Sequence, residues 1–206
     1  MSDDTAPDEN WGQQFDRLPP TADDRVVEGR PSREEVVDWW DERFGVDPAV
    51  FDGYTFWEKG AGKIWAFHGE VVDPIEVEGL GMRILRTRQR HWKPSTNAVQ
   101  RFCGDATKNV IELSPSEAQA FVDGHDQQLD WWEGDWGYLT AAHEIAGELE
   151  PLASASTSTG SSARPSRRVG KKTSSNRNSR QRPGRGAAPR YFSLTVPPVS
   201  PSHSTR

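Results

Sequence analysis

A single cysteine, Cys103, in 206 residues rules out an internal disulfide and any metal site built from cysteines alone. Hydrophobic residues make up only 33% of the chain and mean hydropathy is −0.81. No run approaches the roughly 18 apolar residues of a membrane span. The start, Met1-Ser2-Asp3-Asp4-Thr5, is acidic where a secretory signal is basic. These features predict a cytoplasmic protein with no membrane partner. The five histidines, His68, His91, His125, His143 and His203, stand in no His-x-x-x-His or Cys-x-x-Cys spacing, so no metal or other cofactor is expected. Acid is missing from one end altogether: residues 151–206 carry 11 Lys and Arg and no Asp or Glu.

Nine Trp and eight Phe supply the core that scarce aliphatic residues do not, because each aromatic ring buries a large area. Charge is unevenly divided. Residues 1–150 hold all 31 Asp and Glu against 14 Lys and Arg, a net charge of −17. Between Gly79 and Ile111 the balance inverts, with Arg83, Arg86, Arg88, Arg90, Lys93, Arg101 and Lys108 opposed only by Asp105. A local positive potential within a repulsive body is what a phosphate-backbone ligand needs, since the local field must overcome the long-range one. The acidic surface fits a protein kept hydrated in a salt-rich cytoplasm of the halophilic kind. Counterion release weakens there, so aromatic stacking must add to charge. Trp92, next to His91 and flanked by Arg90 and Lys93, offers a ring for an unpaired base; its alternative place is folded back on the core.

Local signals outline a small mixed body. Residues 1–30 are polar and acidic, with one apolar punctuation at Phe15 to Pro20, and are expected to be mostly disordered. Ser32 and Glu35 form a capping box ahead of Val36, Val37, Trp39, Trp40 and Phe44, a helix ending at Gly45. A further helical turn is expected over residues 47–51. Two aromatic, β-branched runs, residues 54–58 and 63–68, flank Lys59-Gly60-Ala61-Gly62 and predict a hairpin. Residues 60–63 read as its turn and not as a phosphate loop, because Trp57 and Ile64 replace the Gly and Ser/Thr that such a loop needs. Strands are expected at residues 81–86, 110–113, 128–132 and 136–141. Helices are expected over residues 93–102 and after the capping box of Ser114 and Glu117, stopping at Gly124.

The run Gly81-Met82-Arg83-Ile84-Leu85-Arg86, a basic loop, Lys93-Pro94-Ser95 and a helix, then Ile111-Glu112-Leu113-Ser114-Pro115-Ser116-Glu117-Ala118 and Trp136-Gly137-Tyr138-Leu139, resembles the C-terminal RNA-binding module of the Sun/Fmu family of RNA cytosine-5 methyltransferases. The resemblance covers about residues 40–145. It implies an α/β (α+β) fold with a PUA-like mixed sheet or barrel, over residues 81–150, preceded by a helix-hairpin subdomain at 31–80. Thr96 or Asn97 stands where that family often has His, so no base contact is transferred there. The catalytic half is absent, and Arg101-Phe102-Cys103-Gly104 matches neither the Thr-Cys nor the Pro-Cys context of the family's cysteines. Cys103 is therefore read as an inert small hydrophobe and the protein as not itself an enzyme.

These observations predict an RNA-binding protein whose partner is rRNA or tRNA. It would serve either in ribosome biogenesis or as a detached specificity module for a separate RNA methyltransferase. Arg83, Arg86, Arg88, Arg90, Lys93, Arg101 and Lys108 would hold phosphates, and Trp92 with His91 would touch bases. The competing readings are a protein-interaction module without RNA contact and a methyltransferase-related enzyme. Order is expected to end near Leu152, followed by a basic disordered tail over residues 151–206. A PUA-like sheet would then lack its closing strand, which suggests that the tail is read in a shifted frame.

Overall fold

The computed structural model describes residues 14–126, 137–157 and 192–193 of the chain. The expected strand at 128–132, with Trp131 and Trp132, lies outside the described residues. Among the described residues the α+β class is observed, in two open sheets, three α-helices and the expected short helical turn at Pro48–Phe51.

Helix α1 (Arg33–Phe44) forms as its capping box requires. The Ser32 hydroxyl accepts from the Glu35 amide at 3.1 Å, and the Glu35 carboxylate accepts from the Ser32 amide at 2.8 Å. Gly45, at φ 62°, ends the helix in the left-handed region. Its buried face of Val36, Val37, Trp40 and Phe44 packs on the first sheet. That sheet contains β1 (Asp16–Arg17), β2 (Tyr54–Glu58), β3 (Lys63–His68), β4 (Met82–Arg86) and β5 (Lys93–Pro94), all antiparallel and in chain order. Phe56, Ile64, Ala66, Ile84 and Leu85 share a core with α1 and with α2 (Thr96–Phe102). A bulge beside Ile64 and Trp65 lets the consecutive Ile84 and Leu85 both reach that core.

The second sheet runs β6 (Val110–Glu112), β7 (Tyr138–Ile145), β8 (Glu148–Thr157), β9 (Phe192–Ser193), with β6 parallel to β7 and the other pairs antiparallel. Helix α3 (Pro115–Val122) buries Ala118 and Phe121 against its Ile111, Leu113, Leu139 and Ala155. The sheets are tied together where the Gln100 side chain donates to the Leu152 carbonyl at 2.7 Å and the Asn109 side chain donates to the Arg43 carbonyl at 2.7 Å.

Four expectations are corrected. Residues 14–30 are ordered: Phe15 is fully buried with Trp57 and Leu80, and Arg30 pairs with both Asp16 and Glu58. Burying one such ring stabilises by about 1.5–3 kcal/mol, enough to anchor an otherwise polar segment. The division at residues 80/81 falls between β3 and β4, which are neighbours in one sheet with one core. Lys93-Pro94 is strand and not helix, since the Ser95 hydroxyl accepts from the Ala98 amide at 3.1 Å and starts α2 there. Lastly, β8 continues to Thr157 with Ala153, Ser154 and Ala155 buried, and β9 pairs with it. The rest of the basic tail, residues 158–191 and 194–206, and with it the expectation of disorder and of a shifted frame, lies outside the described residues.

Candidate nucleic-acid interface

Cross-strand partners in a sheet project from the same face. Lys63 stands opposite Arg86, and Arg86 opposite Lys93, so three cations form one row across β3, β4 and β5. Arg83 lies opposite Trp65 in the next row. This is the face turned away from α1 and α2. Its other end is closed by the aromatic cluster of Phe15, Trp57, Trp65 and Phe67. Arg83 is half-buried, and desolvation followed by the charge of Arg86 lowers the pKa of its guanidinium. Like charges held side by side destabilise the unliganded sheet, and an anion laid over them reverses the sign of that interaction.

Elsewhere in the body several cations are ion-paired, while Arg33 and Lys59 are held by backbone carbonyls and ring faces. Arg17 is paired with Glu70, Arg25 with Glu35, and Arg30 with Asp16 and Glu58. Among the described residues, none of Lys63, Arg83, Arg86, Arg90 and Lys93 has a carboxylate within ion-pairing distance.

The structure brings together part of the set expected from sequence. Arg90 and His91 are exposed in the loop joining β4 to β5. Arg88, in the same loop, rests its stem on Gly62, where a Cβ would meet the Arg88 Cγ at 2.5 Å. Arg101 and Lys108 are set apart from the row. Arg101 donates to the Tyr54 hydroxyl at 3.4 Å, at the end of the hairpin away from Lys63 and on the helix-packed side. Lys108 donates to the Asp41 carbonyl at 3.1 Å and lies 3.7 Å from its carboxylate, so its charge serves the end of α1.

Trp92 is half-buried, folded back on the core as its alternative place required, and also borders a cleft. It packs at the rim of the main core against Trp39, ring centroids 6.0 Å apart and planes inclined by 38°. It also lines a cleft of about 210 Å³ together with Trp39, Arg43, Arg90, His91 and Tyr138. The Arg43 Nε donates to the Tyr138 carbonyl at 2.7 Å, fixing the guanidinium beside Gly137. Lys93 Nζ lies 5.9 Å from the centre of the Tyr138 ring, a cation-π distance. Burial raises the pKa of the Tyr138 phenol, so it stays neutral and does not repel an anion. Lys63, Trp39, Arg43 and Tyr138 were missed from sequence. Alternation along β3 places Lys63 on the face of Trp65, whereas the other three come from elements distant in the chain.

Cys103 is 2% exposed. Desolvation pushes its thiol up to about 11, although Thr140 draws it partly back. That is the opposite of the shift that creates a reactive thiolate.

Residues 1–81 match a protein family described as a family of unknown function, DUF7122. The match spans β1 to β3 and α1 and ends before β4. No curated protein matches the chain.

Proposed function

We propose that the protein binds RNA, with the sugar-phosphate backbone lying across the outer face of β3, β4 and β5. The observation that carries this reading is the row Lys63, Arg86, Lys93, with Arg83 and Arg90 beside it, which has no carboxylate partner among the described residues while Arg17, Arg25 and Arg30 of the same body have theirs. A strongly acidic protein that leaves five neighbouring cations uncompensated keeps them for an external anion, and a polyanion engages a row better than a single ion does. The adjoining cleft of Trp39, Trp92 and Tyr138 supports a nucleic acid over a simple polyphosphate, because rings give bases a stacking surface. RNA is preferred to DNA through the resemblance to a PUA-like module. The targets that follow are rRNA or tRNA, in ribosome biogenesis or in guiding a separate RNA methyltransferase. The test is binding of the full chain to a structured RNA and to DNA of the same sequence across a salt series. Salt-dependent affinity that favours RNA is expected; no binding to either at low salt overturns the reading.

A further inference from the structure

Tyr138 separates two clefts. On one side is the 210 Å³ cleft of Trp39, Trp92 and Arg43. On the other is a second cleft of about 150 Å³, lined by Lys93, Pro94, Thr96, Tyr138, Ser154 and Ser156, at the seam between the edge strand β5 and the strand β8. Two hydroxyls in this second cleft, Thr96 Oγ1 and Ser154 Oγ, are buried without a hydrogen-bond partner among the described residues, and Ser154 is only 6% exposed. A buried hydroxyl left unpaired lowers the stability of the fold, and two of them lining one small cleft beside an ammonium group mark a place where a polar ligand completes the bonding. Each hydroxyl can donate to a phosphate oxygen and can exchange bonds with a ribose hydroxyl.

We infer that the two clefts hold one unpaired nucleotide of the bound RNA, its base against Trp92 and Trp39 and its ribose-phosphate on Lys93, Thr96 and Ser154. The inference rests on the RNA-binding reading and deepens it: the row of cations takes any backbone, and the paired clefts take a nucleotide that has left the stack. The chemistry of the two sides matches the two ends of such a ligand. The first cleft offers the aromatic faces of Trp39, Trp92 and Tyr138. The second offers a cation and hydroxyls but no aromatic face apart from Tyr138. Either cleft alone falls below the roughly 300 Å³ at which pockets for drug-sized molecules begin, and a ligand of one ring system joined to a sugar-phosphate spans both. Among the described residues no carboxylate lines either cleft, and the Lys93 ammonium lines the second, which favours an anionic ligand.

The test compares a blunt hairpin RNA with the same hairpin carrying one bulged nucleotide, using the full chain and the variants Ser154→Ala, Thr96→Val and Trp92→Ala. Uridine monophosphate is titrated alongside, to distinguish a free nucleotide from one within RNA. The bulged hairpin is expected to bind about tenfold tighter than the blunt one, as a single stacked base allows. Ser154→Ala and Thr96→Val are expected to lose most of that preference while retaining blunt-hairpin affinity, with a melting temperature unchanged or raised, because each removes an unpaired buried hydroxyl. Trp92 also packs on the core, so the two hydroxyl variants keep the test decisive if Trp92→Ala fails to fold. Equal binding of the two hairpins by the wild type, or a preference retained in both hydroxyl variants, overturns the inference and leaves the RNA-binding reading standing. Uridine monophosphate binding with no preference between hairpins assigns the clefts to a free nucleotide and also overturns it. Failure to bind either hairpin overturns both.

Discussion

Reversing one charge, Arg86→Glu, is expected to stabilise the protein and to impair RNA binding, two effects that ordinary damage to a fold does not combine. Arg86 lies between Lys63 and Lys93 in the cross-strand register, and is exposed. A directly opposed pair of like charges costs about 0.2–1 kcal/mol, and an opposite pair contributes a similar amount with the other sign. Turning two repulsions into two attractions is a swing of about 0.4–2 kcal/mol per pair, on the order of 1–4 kcal/mol for the two at low salt, a rise of several degrees in melting temperature that fades as salt screens it. Binding moves the other way. Five phosphate contacts, from Lys63, Arg83, Arg86, Arg90 and Lys93, give a slope of log affinity against log salt of about −3.5 to −4.5, since each contributes roughly 0.7–0.9. A glutamate at position 86 removes one contact and draws its two neighbours toward itself, so the magnitude of the slope falls by roughly 1–3. Thermal melts and fluorescence anisotropy with a labelled hairpin RNA, each from about 50 to 200 mM salt, the range over which such slopes are steep, read both quantities. Unchanged affinity and slope would refute the reasoning, as would parallel loss of binding and stability.

Other consequences follow from named contacts. Burial opposes the Glu35 carboxylate, but the Ser32 amide, the Arg25 guanidinium and the Ser32 hydroxyl outweigh it and hold its pKa below the usual value. Its stabilising contribution is thus complete above the unfolded value of about 4.3 and is lost as pH falls through the lower folded value; Glu35→Gln should flatten melting temperature against pH in that acid window alone. The Cys103 thiol, at about 11, should react with a disulfide reagent at neutral pH only when denaturant opens the core, and rapid labelling of the native protein would contradict its burial. Phe15→Ala should cost about 3–5 kcal/mol, the usual loss for a fully buried ring, in a urea titration; a change near zero would return residues 14–30 to the unstructured state expected from their composition.

What could be read from sequence was what local chemistry dictates. The capping boxes at Ser32 and Ser114 are closed within four residues, and the glycines of the hairpin turn sit next to the strands they join, so α1, α3, β2 and β3 were legible. Phe15 was visible only as a lone apolar residue in a polar window, because its burial depends on Trp57 and Leu80 far along the chain. Strand β8 was obscured for another reason: Ala153, Ser154 and Ala155 have little intrinsic strand preference, and their small side chains are selected by contact with α2 and α3. The candidate site divided in the same way. The basic window gave Arg83, Arg86, Arg90 and Lys93, which alternate or loop along one sheet edge, but it also drew in Arg101 and Lys108, which sequence proximity cannot distinguish from them. Trp39, Arg43 and Tyr138 meet Trp92 only because α1, β5 and β7 converge, and nothing local announces that.

The basic residues after Arg164 are the obvious competitor for any RNA affinity, so the most direct test is to map where RNA touches the full chain. Photocrosslinking to a 4-thiouridine-bearing hairpin with a bulged nucleotide, followed by mass spectrometry of the peptides, does this in one measurement. The account expects adducts within residues 83–93 and at residues 137–138, lost on Arg86→Glu. Crosslinks confined to residues 164–190, or none at all under conditions where the RNA is bound, would contradict it.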